Sequence, residues 1–246
     1  MVQVTVLTLA LATAPAASAE PAGSPPGLYF EQTTVIYADG DSPGPGVRTR
    51  VWHSGGCLRL EAADVEGGPA LVLCPGPGRG FRLDPERRVA VTIDVDRLRE
   101  RSQADAAVAA GLMGGAGEGE VRQAALARTR TIAGRTCRGF RLTGPSVRME
   151  VWVAEDLPVG VDAFADFLDW SGANEALGGL VAAIRGLPGF PLETRTRVDV
   201  FGQVKETVST VTAIRVGPQP AALFEVPEGF RRVAEEPGDP GPGGHR

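Results

Sequence analysis

Hydrophobic and polar positions alternate most cleanly between Val147 and Val153. Val147, Met149, Val151 and Val153 fall on one side of an extended chain, and Arg148, Glu150 and Trp152 fall on the other. A period of two is the mark of a half-buried strand. Residues 129–158 therefore read as two strands joined by a turn and running into a helix. Gly144 and Pro145 break the pattern between Leu142 and Val147, as a hairpin connection does. One face of this hairpin is apolar and the other polar, so the fold must supply something to cover the apolar face.

The rest of the chain is strand-rich on both sides of this hairpin. Residues 28–38 are dense in aromatic, Thr and β-branched residues and predict a first strand. Residues 47–62 give two strand pieces broken at Ser54-Gly55-Gly56, a pattern that fits one long bent strand with a bulge at the glycines. A strand at 70–74 and a hairpin of 81–83 with 89–95 follow, and Val89, Val91, Ile93 and Val95 share a face. Residues 96–113 predict a helix with Asp96 as its cap and only a weak apolar stripe. Residues 160–186 predict a second helical region. Phe164, Phe167 and Leu168 recur at helical spacing there, as do Leu177, Leu180, Val181 and Ile184. Ser171-Gly172 and Gly178-Gly179 interrupt it, and a glycine inside a helix costs about 1 kcal/mol relative to alanine, so a broken, mobile helix pair is expected. Two last strands, 192–201 and 204–216, and a short turn or 3₁₀ piece at 218–224 complete the chain. Closely connected strands are antiparallel by default, and a sheet curling around helices gives an α+β layer architecture.

Composition changes this picture little. The 246 residues are 43% hydrophobic and 22% charged, an ordinary globular balance. A net charge of -5 implies no general affinity for nucleic acid. Arginine greatly outnumbers lysine, Lys205 being the single lysine, and coding in a GC-rich genome accounts for this more simply than selection for anion contacts. The N-terminus matters more. Residues 4–14 form an apolar run too short to span a bilayer, and Ala17-Ser18-Ala19 offers small residues for cleavage, although no basic residue precedes the run. The expected organisation is a signal peptide at 1–19, a linker at 20–27, one domain at 28–233 and a disordered tail at 234–246. The mature chain is expected to be exported to the periplasm after cleavage near Ala19, and no later run reaches membrane length. Cys57, Cys74 and Cys137 leave two readings open: a Cys57–Cys74 bridge with one leftover thiol, or three buried thiols.

Candidate chemistry is sparse. The histidines are His53, on a strand, and His245, in the tail, so no nucleophile–base pair can be assembled. No Cys-x-x-Cys or His pair offers a zinc site. Residues 75–80 imitate a phosphate loop, but a strand follows rather than a helix N-terminus, and the turn reading prevails. Asp162, Asp166 and Asp169 read as the solvated side of a helix. No enzymatic activity and no cofactor are expected.

Three stretches carry a family likeness. They are residues 125–158 (through Ile132, Gly134, Cys137, Val151, Trp152 and Val153), the hairpin of residues 80–94, and residues 223–233 (through Phe224, Pro227, Gly229 and Phe230). Together they resemble an uncharacterised periplasmic branch of the LolA-like outer-membrane lipoprotein carrier superfamily. The resemblance implies a curved antiparallel half-barrel sheet with helices plugging its concave face, and brings no catalytic residues. It implies a binding protein that holds a lipid or lipoprotein acyl chain, without covalent chemistry, in an apolar cavity under a helical lid. The cavity would be lined by Val91, Ile93, Val147, Met149, Val151 and Val153. Phe164, Phe167, Leu168, Leu177, Leu180, Val181 and Ile184 would form its lid. Burying an acyl chain yields about 0.8 kcal/mol per CH₂, enough to drive such binding. The alternative is an envelope interaction module with a filled core, meeting a protein partner at its Arg-rich outer strand faces.

Overall fold

The computed structural model describes residues 26–37, 43–65, 67–74, 78–97, 100, 104, 120–145, 147–161, 179–200 and 203–234. The period-two stretches form one twelve-stranded sheet. Its strands are β1 (Leu28–Tyr37), β2 (Val47–Ser54), β3 (Cys57–Ala62), β4 (Ala70–Cys74), β5 (Arg79–Asp84) and β6 (Val89–Asp94), then β7 (Arg122–Ile132), β8 (Arg135–Thr143) and β9 (Val147–Ala154). After helix α1 (Gly179–Arg185) come β10 (Phe190–Val200), β11 (Gln203–Val216), a 3₁₀ turn (Ala221–Phe224) and β12 (Arg231–Ala234). The spatial order is β12-β6-β5-β4-β3-β2-β1-β11-β10-β9-β8-β7. Each neighbouring pair is antiparallel except β12 with β6, which is parallel.

This architecture corrects the expected half-barrel plugged by helices. The sheet is open and mixed, with free edges at β7 and β12, and it does not curl into a half-barrel. Among the described residues the α-helical element is α1, of seven residues, and no helical lid is present. Phe164, Phe167, Leu168 and Leu177 lie outside the described residues. Period-two patterning specifies which residues share a face of a strand, but it carries no information on the curvature of the sheet. β12 escapes that patterning because four residues are too few to establish a period.

Local chemistry explains other departures. Residues 47–62 form a β2–β3 hairpin rather than a bulged strand, because Gly55 and Gly56 both take positive φ (57° and 74°) and close a two-residue turn between Ser54 and Cys57. That φ pair matches the right-handed twist of the flanking strands. The carboxylate of Asp94, not Asp96, accepts the backbone N–H of Arg97 at 3.0 Å as the chain turns helical at 95–97. Cys57 and Cys74 are joined by a disulfide at the end of the β3–β4 ladder, while Cys137 is a buried thiol.

Both faces of the sheet carry apolar clusters. Val147, Met149, Val151 and Val153 pack with Leu180 and Ile184 of α1 and with Leu142 and Leu187. On the β4–β6 side, Val72, Leu83 and Ala90 pack against Phe224 of the 3₁₀ turn. A third cluster forms where the β10–β11 ladder stops at Glu193–Thr210. There Phe190, Leu192 and Trp152 meet Leu28, Phe30, Val51 and Leu58 from the other half of the sheet. Trp152, assigned by alternation to the polar side, is therefore buried, with 1% of its surface exposed. The free edge β7 is mostly exposed, but Arg122, Arg128 and Arg130 and a register shift between Ala125 and Thr129 make it a poor template for another strand.

Candidate functional site: an arginine-lined hollow on β7 to β11

The polar face of β9 continues across its neighbours as a charged array. In register, Arg141 of β8 stands opposite Glu150 of β9, and Glu150 stands opposite Arg195 of β10. One step along, Thr143 faces Arg148, Arg148 faces Arg197, and Arg197 faces Glu206 of β11. Arg128 and Arg130 of β7 join this array by lying over the ring of Trp152, their guanidinium carbons 5.4 and 5.0 Å from its centroid. Six arginines and two glutamates thus line a hollow of about 670 Å³ with an excess of four positive charges.

Ion pairs fix most of these groups. The Arg141 guanidinium donates to Glu150 at 2.7 Å, and Arg128 lies 3.9 Å from the same carboxylate. Glu206 is shared by Arg195 at 2.8 Å and Arg197 at 3.4 Å. Arg130 pairs with Glu193, the single buried charged residue among those described, whose other oxygen accepts from the Thr210 hydroxyl at 3.5 Å. The arginines are about half exposed, so each pair with Glu150 or Glu206 contributes at most about 1 kcal/mol. Such pairs orient guanidinium forks more than they hold the fold together. Arg148 is exposed and makes no ion pair or hydrogen bond to any described residue.

The residues expected to line a lipid cavity are placed differently. Val147, Met149, Val151 and Val153 are brought together with Leu180 and Ile184, but as packed core. Leu180, Ile184, Val151 and Val153 have no exposed surface and Val181 has 1%, so the space assigned to a ligand is occupied by side chains. Val91 and Ile93 belong to β6, separated from β9 by seven intervening strands in the sheet order, and do not join that cluster. These packing facts overturn the lipid-carrier reading, and with it the half-barrel and lidded-cavity expectations. His53 sits on β2 opposite Leu28 and Leu58. No group of His, Cys, Asp and Glu that could hold a metal ion occurs among the described residues. None of the described helices is long and apolar enough to cross a membrane.

Sequence reading offered the Arg-rich outer strand faces as a partner surface in its alternative, but did not single out the residues of this array. Arg-Thr-Arg occurs at 48–50, 128–130 and 195–197, and the last two triplets supply four of the six arginines of the hollow. On a strand, that spacing puts both arginines of each triplet on one face.

Comparison with known proteins bears on this face. Residues 117–230 match a family model described as a domain of unknown function (DUF4412). No curated protein matches the chain. Among solved structures, an uncharacterised conserved protein from Thermus thermophilus is 10% identical, with 86% of this chain and 91% of that one covered, at a TM-score of 0.43. A LolA superfamily protein from Nitrosomonas europaea is 14% identical, with 84% and 91% covered, at a TM-score of 0.31. PNGF-II in its C2 crystal form is 12% identical at a TM-score of 0.36. The match takes in 85% of this chain, which spans only 31% of PNGF-II. The similarity to the domain of unknown function takes in every residue of the arginine-lined hollow.

Proposed function

We propose that this protein is an exported interaction module of the cell envelope, with a filled core, no covalent chemistry of its own, and a protein partner that docks on the arginine-lined face of β7 to β11. The observation that carries this reading is the hollow of about 670 Å³ walled by six arginines and two glutamates. Arginine is favoured wherever planar, bidentate recognition of anionic groups is needed. The packed clusters support the reading by leaving the apolar faces no room for a guest. Export is supported by the signal-like residues 1–19 and by the Cys57–Cys74 disulfide, a bond characteristic of oxidising compartments.

The test is cross-linked capture from envelope extract of the source cell, using the mature chain and an Arg141→Glu/Arg195→Glu variant. A protein retained by the parent and lost from the folded variant supports the reading. Equal retention by both, or no retained protein at all, refutes it.

A further inference from the structure

We propose that Arg148 and Arg197 form an open carboxylate-binding pair, and that the partner reaches this face through an extended acidic segment laid across β8, β9 and β10. This rests on the interaction-surface reading above and adds the chemistry of what the surface takes. The two arginines stand directly opposite each other across the β9–β10 ladder. Like charges placed directly opposite across a ladder destabilise it. Elsewhere in the hollow a carboxylate stands between neighbouring guanidinium groups: Glu150 between Arg141 and Arg195 in register, and Glu206 shared by Arg195 and Arg197. At Arg148 that series stops. Arg148 has no partner among the described residues, and Arg197 holds only the longer, 3.4 Å share of Glu206. Asp199, two residues further along β10, has an interaction of its own. A carboxylate supplied from outside would complete the pattern where the protein leaves it open.

The surroundings favour a polypeptide segment as its source. A second hollow, of about 340 Å³, shares Arg148 and Arg197 with the first; Asp199 also lines it, and the exposed Val204 gives it an apolar wall. An acidic residue flanked by apolar ones meets both kinds of wall. Glu150 and Glu206 line the first hollow, where they repel a multiply charged phosphate more than a single carboxylate. A planar membrane surface does not reach into a recess of this kind.

The probe is a fluorescein-labelled alternating Glu-Val peptide, titrated against the mature chain by anisotropy. Saturable binding is expected, weakened about tenfold or more by Arg148→Gln and by Arg197→Gln, the size of one charge-assisted hydrogen-bonded pair. Arg148→Lys, which keeps the charge and loses the fork, is expected to fall between the parent and Arg148→Gln. Arg87→Gln, on the exposed turn between β5 and β6, is expected to bind as the parent does. Absence of peptide binding, or equal binding by Arg148→Gln, overturns the inference. So does displacement of the peptide by inorganic phosphate at lower concentration than by free glutamate, or binding of phosphatidylglycerol vesicles that Arg148→Gln abolishes. If the Arg141→Glu/Arg195→Glu variant loses its captured protein while the parent ignores the peptide, the carboxylate chemistry is wrong and the interaction surface stands.

Discussion

Gly139 shows how a single missing methyl group positions the arginine face. It stands opposite Trp152 in the β8–β9 register. A Cβ at this position would lie 2.8 Å from ring carbon Cζ3 and 2.9 Å from Leu126 Cδ1, closer than real side-chain contacts allow. The indole can lie across β8, beneath Arg128 and Arg130, only because this residue has no side chain. Gly139→Ala is expected to cost about 1–3 kcal/mol by overpacking, read as a lower urea midpoint with an altered tryptophan emission maximum. Gly160→Ala, which would meet nothing within 4 Å, should stay within about 0.5 kcal/mol of the parent. Cys137 gives a pH prediction. Burial pushes its thiol pKa up. The unfolded thiol therefore ionises first, above about pH 8.5, while the folded one stays neutral. Stability is unaffected below that point and falls as pH rises from there towards the raised folded value. Cys137→Ala should show a shallower alkaline loss of stability than the parent, and parallel slopes would refute the assignment. The fit of Trp152 over Gly139 was not legible in the sequence, whereas a Cys57–Cys74 bridge leaving Cys137 as a thiol was one of its two readings. Alternation put Trp152 on the wet side, and a lone glycine inside a strand does not announce what lies upon it.

At the scale of the element, α1 is the clearest case of a local pattern read correctly and given the wrong task. The helical spacing of Leu180, Val181 and Ile184 is visible in the sequence, and those residues are buried on a helix. Seven residues are too few to hold a helix alone, where about 12–15 are needed, so α1 persists through its packing on β8 and β9. Ile184→Ala should therefore destabilise the whole domain by about 2–5 kcal/mol in urea unfolding, whereas Ala182→Ser on the exposed side should be nearly neutral. A loss below about 1 kcal/mol at Ile184 would mean that α1 is a detachable cover rather than part of the core. The strand pairs divide along similar lines. The β8–β9 hairpin was legible from its clean alternation and its Gly144-Pro145 break. The β2–β3 hairpin was not, because a glycine pair between two alternating runs suits a bulge as well as a turn, and only the φ values of Gly55 and Gly56 separate the two.

For the whole molecule, the question is whether apolar faces imply a guest. They imply only that something covers them. Here the cover is supplied from within: α1 over the Val147–Val153 face, the 3₁₀ turn over β4 to β6, and, beyond Glu193–Thr210, the packed cluster of Phe190, Leu192 and Trp152 with Leu28, Phe30, Val51 and Leu58. An acyl chain would gain about 0.8 kcal/mol for each buried CH₂. To enter it must first displace side chains such as Leu180 and Ile184, which have no exposed surface. Each large apolar side chain so exposed gives back about 1.5–3 kcal/mol, so a few of them cancel the gain. The protein purified from its source cell should therefore give a native mass equal to the polypeptide alone, and titrated palmitate should show no saturable uptake. One palmitate bound per folded chain, lost when Leu180 is changed to Asp without unfolding, would reverse this. The charged face obeys opposite logic. Its guanidinium groups remain half in water, so what binds there should be released as salt rises past the point where the screening length falls below about 10 Å. Apolar burial would strengthen under the same salt, and that contrast tells a partner held by the arginines from a guest held by the core.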